Sequence, residues 1–222
     1  MTKPRIVETD EGIQGEFDVQ IYDALARRLR DKGWMETREI FKAGIVSGLA
    51  LEVSPGPGYL GLEWLKNTQG TRLEGLDISP EMIKVAERNA IEYGLQSRVK
   101  YMLGDAAQMP FEDGRFDAVF TNGALHEWAE PKRIFNEIHR VLKAGGRFCI
   151  TDLRRDMNPL MKWLMWLVTK PREIRPGLIS SINAAYTLRE IRTLLEDTEL
   201  KGRYRARSTI EGLVITGEKT SA

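Results

Sequence analysis

An apolar run that breaks into closely spaced glycines constrains the fold of this chain more than any other feature. Residues 49–53 read as a buried strand, and Gly56 and Gly58 follow it directly. Glycine adopts backbone angles that are closed to other residues and carries no Cβ, so the chain can turn sharply and a ligand can approach the main chain. The apolar periodicity of residues 60–65 then predicts a helix whose N-terminus faces the same ligand.

Two further predicted strands also lead into an acidic residue. Residues 73–77 end at Asp77, at the distance from the glycine turn where a carboxylate can accept both ribose hydroxyls of a bound nucleoside. Residues 99–103 lead to Asp105, whose carboxylate suits the exocyclic amine of adenine. The glycines of 56–61 also fit the G-x-G-x-x-G spacing of a dinucleotide site, so the glycines alone leave NAD and S-adenosylmethionine open.

Strands and helices alternate through the middle of the sequence. This alternation predicts an α/β fold with a doubly wound, mostly parallel sheet, covered by helices on both faces. Helices are expected at 80–93 and at 131–142, and we expect the second to stop at Gly145-Gly146. Ligands gather beyond the carboxyl ends of such strands. The polar residues expected at that edge are Glu52, Asp77, Asp105 and Asn122.

From Leu49 to Thr151 the sequence resembles the class I S-adenosylmethionine-dependent methyltransferases, most closely the small-molecule group that includes quinone-biosynthesis and sterol enzymes. The segments that carry the resemblance are, in chain order, Glu52, Asp77, Asp105, 116–119 and 140–148. The resemblance implies a Rossmann-like fold with seven strands, N-terminal helices, a helical lid and a terminal antiparallel hairpin. The chain departs from the family at Ser54, where a glycine is usual. A serine can occupy that position if φ stays negative, so we expect cofactor binding to be kept, with a backbone that is less free than that of glycine.

The same resemblance implies methyl transfer from S-adenosylmethionine to a small organic acceptor, which leaves S-adenosylhomocysteine. It places the ribose on Asp77, the adenine between Ile78 and Ala106, and its amine on Asp105. Glu52 and the glycine turn would face the methionine end. The expected cofactor-binding residues are Glu52, Ser54, Gly56, Gly58, Tyr59, Asp77, Ile78, Met82, Asp105, Ala106 and Asn122.

His126 is the candidate catalytic residue. It follows the fourth predicted strand, in the loop that bounds the methyl-transfer site in the family, and histidine titrates in the range useful to a general base. The alternative is that it only closes the cofactor pocket or caps a turn. The candidate substrate contacts are Phe17, Tyr22, His126, Arg154 and Trp163. Phe17 and Tyr22 could equally pack their helix onto the sheet. No cluster of Cys and His predicts a metal site.

Residues 157–168 are apolar almost without interruption and have basic neighbours. Three explanations compete: a substrate lid, a contact between two copies in a homodimer, or a shallow membrane-surface helix. The position between the fifth strand and the last helix favours the lid. Met and Trp side chains suit a bulky or lipophilic acceptor.

Length and composition limit the remaining choices. A chain of 222 residues suits a single domain, which we divide into cap helices (1–45), a cofactor-binding core (46–153), a lid (154–186), and a C-terminal helix and hairpin (187–222). With 33 basic and 32 acidic residues, and no run of one sign, nucleic acid is not expected as a partner.

The single cysteine and the N-terminus predict a cytoplasmic location. Cys149 lies in an apolar predicted strand and has no partner for an internal disulfide, so we interpret it as a core residue. The first residues are polar and do not resemble a signal peptide.

Two other functions stay open at this point. One is an NAD-dependent oxidoreductase, which Asp105 and Gly145-Gly146 argue against. The other is a non-catalytic sensor or partner subunit that binds S-adenosylmethionine. The sequence does not decide which acceptor, or which acceptor atom, receives the methyl group.

Overall fold

The structure, a computed structural model, describes residues 4–6 and 16–220, with side chains in the second range from residue 18 onwards. Its helices are α1 (Glu16–Asp31), α2 (Thr37–Lys42), α3 (Tyr59–Lys66), α4 (Pro80–Glu92), α5 (Pro131–Val141), α6 (Pro159–Val168), α7 (Arg175–Ala184) and α8 (Leu188–Leu195). Its strands are β1 (Leu49–Val53), β2 (Arg72–Asp77), β3 (Val99–Leu103), β4 (Phe116–Asn122), β5 (Leu142–Leu153), β6 (Tyr204–Ser208) and β7 (Gly212–Glu218). Single 3₁₀ turns lie at Ala106–Gln108 and Arg172–Ile174.

The seven strands form one sheet in the order β3-β2-β1-β4-β5-β7-β6. Strands β1 to β5 run parallel, and β7 pairs antiparallel with both β5 and β6. The chain runs outward from β1 to β3 and then returns to place β4 on the other side of β1. The α/β fold class, the doubly wound sheet and the terminal hairpin are therefore confirmed. The reversal of strand order between β1 and β4 is where such sheets bind ligands.

Alternate residues of the central strands pack on opposite faces of the sheet. On one face Leu51 and Phe148 lie in a cluster with Phe135 of α5. On the other face Ala50 and Phe120 lie in a cluster with the α3 side chains, which include Trp64. Both faces are thus covered by helices, which explains why the strands read as nearly continuous apolar runs.

Cys149 also lies in the cluster that covers the α3 face of the sheet. It is fully buried, which confirms its interpretation as a core residue.

The predicted bounds of α5, 131–142, agree with the structure to within one residue, but Gly145-Gly146 do not end the helix. The helix stops at Val141, and β5 begins at the next residue with Leu142 already extended at φ −73° and ψ 138°. Gly145 therefore lies inside a long strand, with φ +77°, and its N–H bonds to the carbonyl of Lys219. The two glycines are needed by the irregular start of β5, whose pairing with β4 shifts register between Phe116 and Ala118.

The C-terminal half adds one element that the sequence analysis did not separate. Residues 154–186 contain α6 and also α7, against which α6 packs. The next helix, α8, begins as predicted: Thr187 caps it, and Glu190 completes the capping box. No helix within the described ranges is long and apolar enough to cross a membrane.

Candidate functional site

A cleft opens at the carboxyl ends of β1, β2 and β4, where the strand order reverses. It encloses about 790 Å³ when the open solvent at its mouth is included. The lining residues come from α1 and the segment after it, the glycine turn, and the ends of β2 and β4: Tyr22, Ala26, Leu29, Met35, Glu52, Ser54, Pro55, Gly56, Pro57, Tyr59, Leu60, Asp77, Ile78, Met82, Asn122, Gly123, Ala124 and Glu127.

Asp77 joins the end of β2 to the glycine turn. Its Oδ2 accepts a hydrogen bond from the N–H of Gly56 at 3.0 Å, and its Oδ1 accepts one from the N–H of Ser79 at 2.9 Å. The side chain is buried, and burial raises the pKa of its carboxyl despite these donors. The N–H of Ile78 also bonds to this carboxyl. Because a carboxylate has about four lone-pair sites, the carboxyl still has room for a further donor such as a hydroxyl.

Ser54 does not have the negative φ at which a serine fits this position without strain. Its φ is +52°, the only positive value among the non-glycine residues that the structure describes. The N–H of Ser54 bonds to the carbonyl of Leu76 at 2.8 Å, which ties the turn to β2 in this conformation. The cost of a side chain in the left-handed region is about 1–2 kcal/mol, so this turn carries strain that a glycine would remove.

We expect Ser54→Gly to raise the free energy of unfolding by roughly 0.5–1 kcal/mol. Relief of the left-handed strain outweighs the extra backbone entropy that glycine has in the unfolded chain, about 0.5–1 kcal/mol. Urea unfolding of the variant measures the change. Ser180→Gly in the exposed part of α7 is the matched control and should lower the stability, since its helical backbone favours a side chain. A similar loss in both variants would contradict the strain at Ser54.

Glu52 is a buried carboxyl with an unused oxygen. The residue is 1% exposed, yet it lines the cleft. The N–H of Gly61 bonds to the carboxyl, but Oε2 has no hydrogen-bond partner within the described part of the chain. Burial raises the pKa of Glu52 well above its ordinary value. A Cβ on Gly61 would lie 2.2 Å from Oε2, so α3 can pass this close to the carboxyl only with a glycine. An orphaned acid of this kind fits a cationic ligand group.

Tyr101 of β3 shapes the floor below the glycine turn, and the sequence analysis did not single it out. A Cβ on Gly58 would lie 2.4 Å from the Tyr101 hydroxyl, and one on Gly75 would lie 2.5 Å from its ring. The ring therefore fills the space that both glycines leave. Only the direction of the side chain in three dimensions reveals this role.

Helix α1 lies over the cleft because Asp23 anchors it to α3 and α4. The Asp23 carboxylate accepts hydrogen bonds from Tyr59 Oη at 3.0 Å, from Arg88 Nη2 at 2.8 Å and from Asn89 Nδ2 at 3.2 Å. This anchor places Tyr22 against the glycine turn, with its ring in the wall of the cleft. Burial, together with nearby carboxyls, raises the pKa of Tyr22.

His126 forms a buried pair with Asp152 at the end of β5. His126 Nδ1 lies 2.7 Å from Asp152 Oδ1, and the His126 backbone N–H donates to Oδ2 at 2.7 Å. When the carboxylate accepts from Nδ1, the imidazole carries its proton there, and Nε2 is the basic nitrogen. Nε2 lies 3.8 Å from Glu127 Oε1, and Glu127 lines the cleft. Arg5 also fixes the loop by donating to the His126 carbonyl at 2.8 Å.

Most of the predicted cofactor residues meet at this cleft. Those in its lining are Glu52, Ser54, Gly56, Tyr59, Asp77, Ile78, Met82 and Asn122, and Gly58 lies in the same turn. The side chain of Asn122 is held by Thr151, whose hydroxyl donates to its Oδ1 at 2.8 Å. Asp105 and Ala106 are not in the lining. The exposed Asp105 carboxylate instead caps the short 3₁₀ turn by accepting from the N–H of Ala107 at 2.7 Å.

The predicted substrate contacts do not all meet at the cleft. Tyr22 lines the cleft, whereas His126 is buried and is not in the lining, although its neighbour Glu127 is. Arg154 pairs with Asp156 at 2.7 Å and donates to the carbonyl of Thr209, away from the cleft. Trp163 is 56% exposed on α6, and no α6 residue lines the cleft. The backbone of Phe17 belongs to α1, but its side chain lies outside the described residues.

The structure adds cleft residues that sequence reasoning missed. Leu29 and Met35 supply apolar surface from the N-terminal segment, and Glu127 supplies a carboxyl next to His126. The only sequence signal for Glu127 was its place in the loop after β4, directly after the candidate base.

The region around the cleft is similar to known methyltransferases. A family model described as a methyltransferase domain matches residues 51–150. A human mitochondrial 2-methoxy-6-polyprenyl-1,4-benzoquinol methylase is 35% identical over 95 residues, which are 43% of this chain and 29% of that protein. An uncharacterised methyltransferase of Synechocystis is 39% identical over 117 residues, 52% of this chain and 49% of that protein.

A solved structure extends the likeness to nearly the whole chain. A SAM-dependent methyltransferase from Aquifex aeolicus has a TM-score of 0.69 over 94% of this chain and 100% of that chain, at 19% identity. At this identity the likeness is one of fold. The chain spans less than half the length of the two curated relatives described above.

Proposed function

We propose that the protein transfers a methyl group from S-adenosylmethionine to a small organic acceptor. The match of residues 51–150 to a methyltransferase domain supports this proposal. The observation that carries the proposal is the convergence of Glu52, Asp77 and the glycine turn on one cleft at the switch point of the sheet. One ligand could then meet the buried carboxyl of Glu52, the carboxylate of Asp77 as hydrogen-bond acceptor for hydroxyls, and the main chain of the glycine turn.

The chain's own residues divide the binding task. Asp77 would accept the ribose hydroxyls, with its carboxylate already aligned by Gly56 and Ser79. Glu52 would face the methionine ammonium, because its Oε2 is the unsatisfied acid at that end of the cleft. Ile78 and Met82 supply apolar surface for the adenine. Asp105 remains the proposed partner of the adenine amine, although its carboxylate now caps a turn.

The cofactor supplies a methyl group on a sulfonium, so the acceptor atom forms its bond to the methyl carbon as the carbon–sulfur bond breaks. The protein's contribution is then orientation and exclusion of water. Where the acceptor must lose a proton, we assign its removal to His126 Nε2. Asp152 supports this role because it holds the ring in place and stabilises the imidazolium that forms.

A lipophilic acceptor is favoured by the apolar residues of the cleft. Leu29, Met35 and Leu60 contribute aliphatic and thioether surface, and Tyr22 contributes an aromatic ring. The human relative is named for a polyprenyl benzoquinol. Quinol-type compounds are therefore the first acceptors to test.

Calorimetric titration with S-adenosylhomocysteine, with NADH in a parallel titration, tests the proposal. Binding of S-adenosylhomocysteine alone is expected and justifies a screen of acceptors with a labelled methyl donor. Binding of NADH alone would overturn the proposal in favour of hydride transfer. Tight binding without methyl transfer to any acceptor in the screen would favour the sensor or partner subunit.

We also propose a cytoplasmic, reducing location. The support is Cys149, the single cysteine, which is buried under α2 and α3. Burial raises the pKa of its thiol to about 12, so the group stays protonated and unreactive. Fractionation of cells that produce the full-length protein tests the location, and recovery from an oxidising compartment would contradict it.

A further inference from the structure

Helix α6 exposes its apolar side chains to an unusual degree. None of its residues is buried. Leu160 is 69% exposed, Trp163 56%, Leu164 43% and Leu167 45%. Their spacing of three and four residues puts them on one face of the helix. Monomeric proteins rarely leave such a continuous apolar surface uncovered unless it serves an interaction.

Basic residues follow this face at the C-terminal end of α6. Between residues 159 and 184 the sequence has four basic residues and one acid, Glu173. Lys170 and Arg172 are exposed just beyond the C-terminal end of α6. Arg175 stacks on the Trp166 ring at 4.2 Å and donates to the carbonyl of Leu167 at 2.9 Å. At least one cation, Arg175, is therefore in direct contact with an aromatic ring of α6.

We propose that the apolar face of α6 docks on an anionic lipid surface. A helix that lies in the interface buries its apolar side chains among the acyl chains and keeps its cations at the phosphates. Trp is enriched at the same depth, because its ring is apolar and its N–H is polar. Trp163 and Trp166 are exposed on α6, and the exposed Lys170 and Arg172 follow within six residues of Trp166, which fits that arrangement.

The two other occupants fit less well. A lid over the cleft would present its apolar residues to the cleft, and no α6 residue is in the cleft lining. A two-fold contact between copies would cover the apolar face, but residues 159–184 hold only one acid, Glu173, to offset the partner's four basic residues. Lipid phosphates, in contrast, neutralise the cations while the acyl region accepts the apolar face. The proposal is independent of the methyl-transfer function, since vesicle binding is measured without cofactor or acceptor.

Flotation of the full chain with vesicles tests the proposal. We expect binding to mixed phosphatidylcholine and phosphatidylglycerol vesicles, little binding to phosphatidylcholine alone, and release by salt. Lys170→Ser combined with Arg172→Ser should reduce partition to mixed vesicles by about thirtyfold, from the usual contribution of a cation near such a surface. Trp163→Ser combined with Leu164→Ser should reduce it on both kinds of vesicle.

A matched control separates docking through α6 from non-specific adsorption of exposed apolar side chains. Ile91→Ser combined with Ile210→Ser removes two side chains of equal or greater exposure elsewhere, at 64% and 74%, and should leave partition unchanged. All variants should keep the wild-type melting curve, because the altered side chains are exposed. Absence of binding to mixed vesicles, or an equal loss in the control, would overturn the proposal. Light scattering gives a further test without lipid. A dimer that is dissociated by Trp163→Ser combined with Leu164→Ser would also overturn the proposal, because it would assign the face to a second copy.

Discussion

We expect His126→Ala to lower kcat for methyl transfer by about 10²–10⁴-fold, the range typical of a lost general base. The reason is the pair with Asp152, whose carboxylate accepts at 2.7 Å from both the ring and the backbone of His126. The variant would remove the imidazole that Asp152 orients for the acceptor's proton. Single-turnover kinetics with a labelled methyl donor measures the change apart from product release.

The control for this variant is His139→Ala, which removes the other histidine. His139 lies on α5, where burial and nearby cations lower the pKa of its imidazole, and it does not line the cleft. Its loss should leave kcat unchanged. His126→Gln keeps most of the side-chain volume, so a folded glutamine variant with normal S-adenosylhomocysteine affinity and low kcat would separate chemistry from packing. Normal kcat in a folded His126→Gln variant would mean that His126 only closes the loop.

We expect Asp77→Ala to weaken S-adenosylhomocysteine binding by about tenfold to two-hundredfold. Two effects combine: the loss of a charge-assisted hydrogen bond to the ribose, worth about 1.5–3 kcal/mol, and the release of the Gly56 N–H that orders the turn. Calorimetry gives the dissociation constant directly. Asp197→Ala on the exposed surface, where the carboxylate pairs with Lys132, is the control and should not change it.

The stability of the Asp77 variant adds a second readout. Because burial raises the pKa of Asp77, the folded protein holds this proton more tightly than the unfolded chain does. The carboxyl's contribution to the free energy of unfolding is therefore present below its ordinary pKa and declines as pH rises through the raised value. Asp77→Ala should remove that part of the pH dependence of the free energy of unfolding.

For the binding prediction, an unchanged affinity for S-adenosylhomocysteine in the folded variant would count against the ribose contact.

The polar edge of the sheet could be predicted from the sequence because parallel topology alone decides it. Once Glu52, Asp77 and Asn122 are placed at or near strand ends, the fold has to bring them to one side. The sign of φ at Ser54 could not be predicted, because it is linked to the hydrogen bond from its N–H to Leu76 on a neighbouring strand. Local sequence carries no record of that bond.

Side-chain direction explains the other failures. The continuous apolar pattern of α6 indicates a helix, but it does not say whether any face meets the rest of the protein, and in the structure none is buried. Arg154 follows a central strand as expected, yet its guanidinium turns to Asp156 and the β6–β7 connection. The neighbours of Glu127 and Tyr101 are set by the packing of loops and strands that are distant in sequence, so they could not be predicted from local sequence.

The contact of Tyr101 with two glycines has an evolutionary consequence. Two constraints require glycine at position 58. A Cβ there would clash with the Tyr101 hydroxyl, and the φ of +81° is unfavourable for other residues. Gly75 has no positive φ, and the atoms nearest to a Cβ there belong to the Tyr101 ring. Homologues with a smaller side chain at position 101 should therefore accept larger residues at position 75. Position 58 should stay glycine whether residue 101 is large or small. In an alignment, positions 75 and 101 should covary.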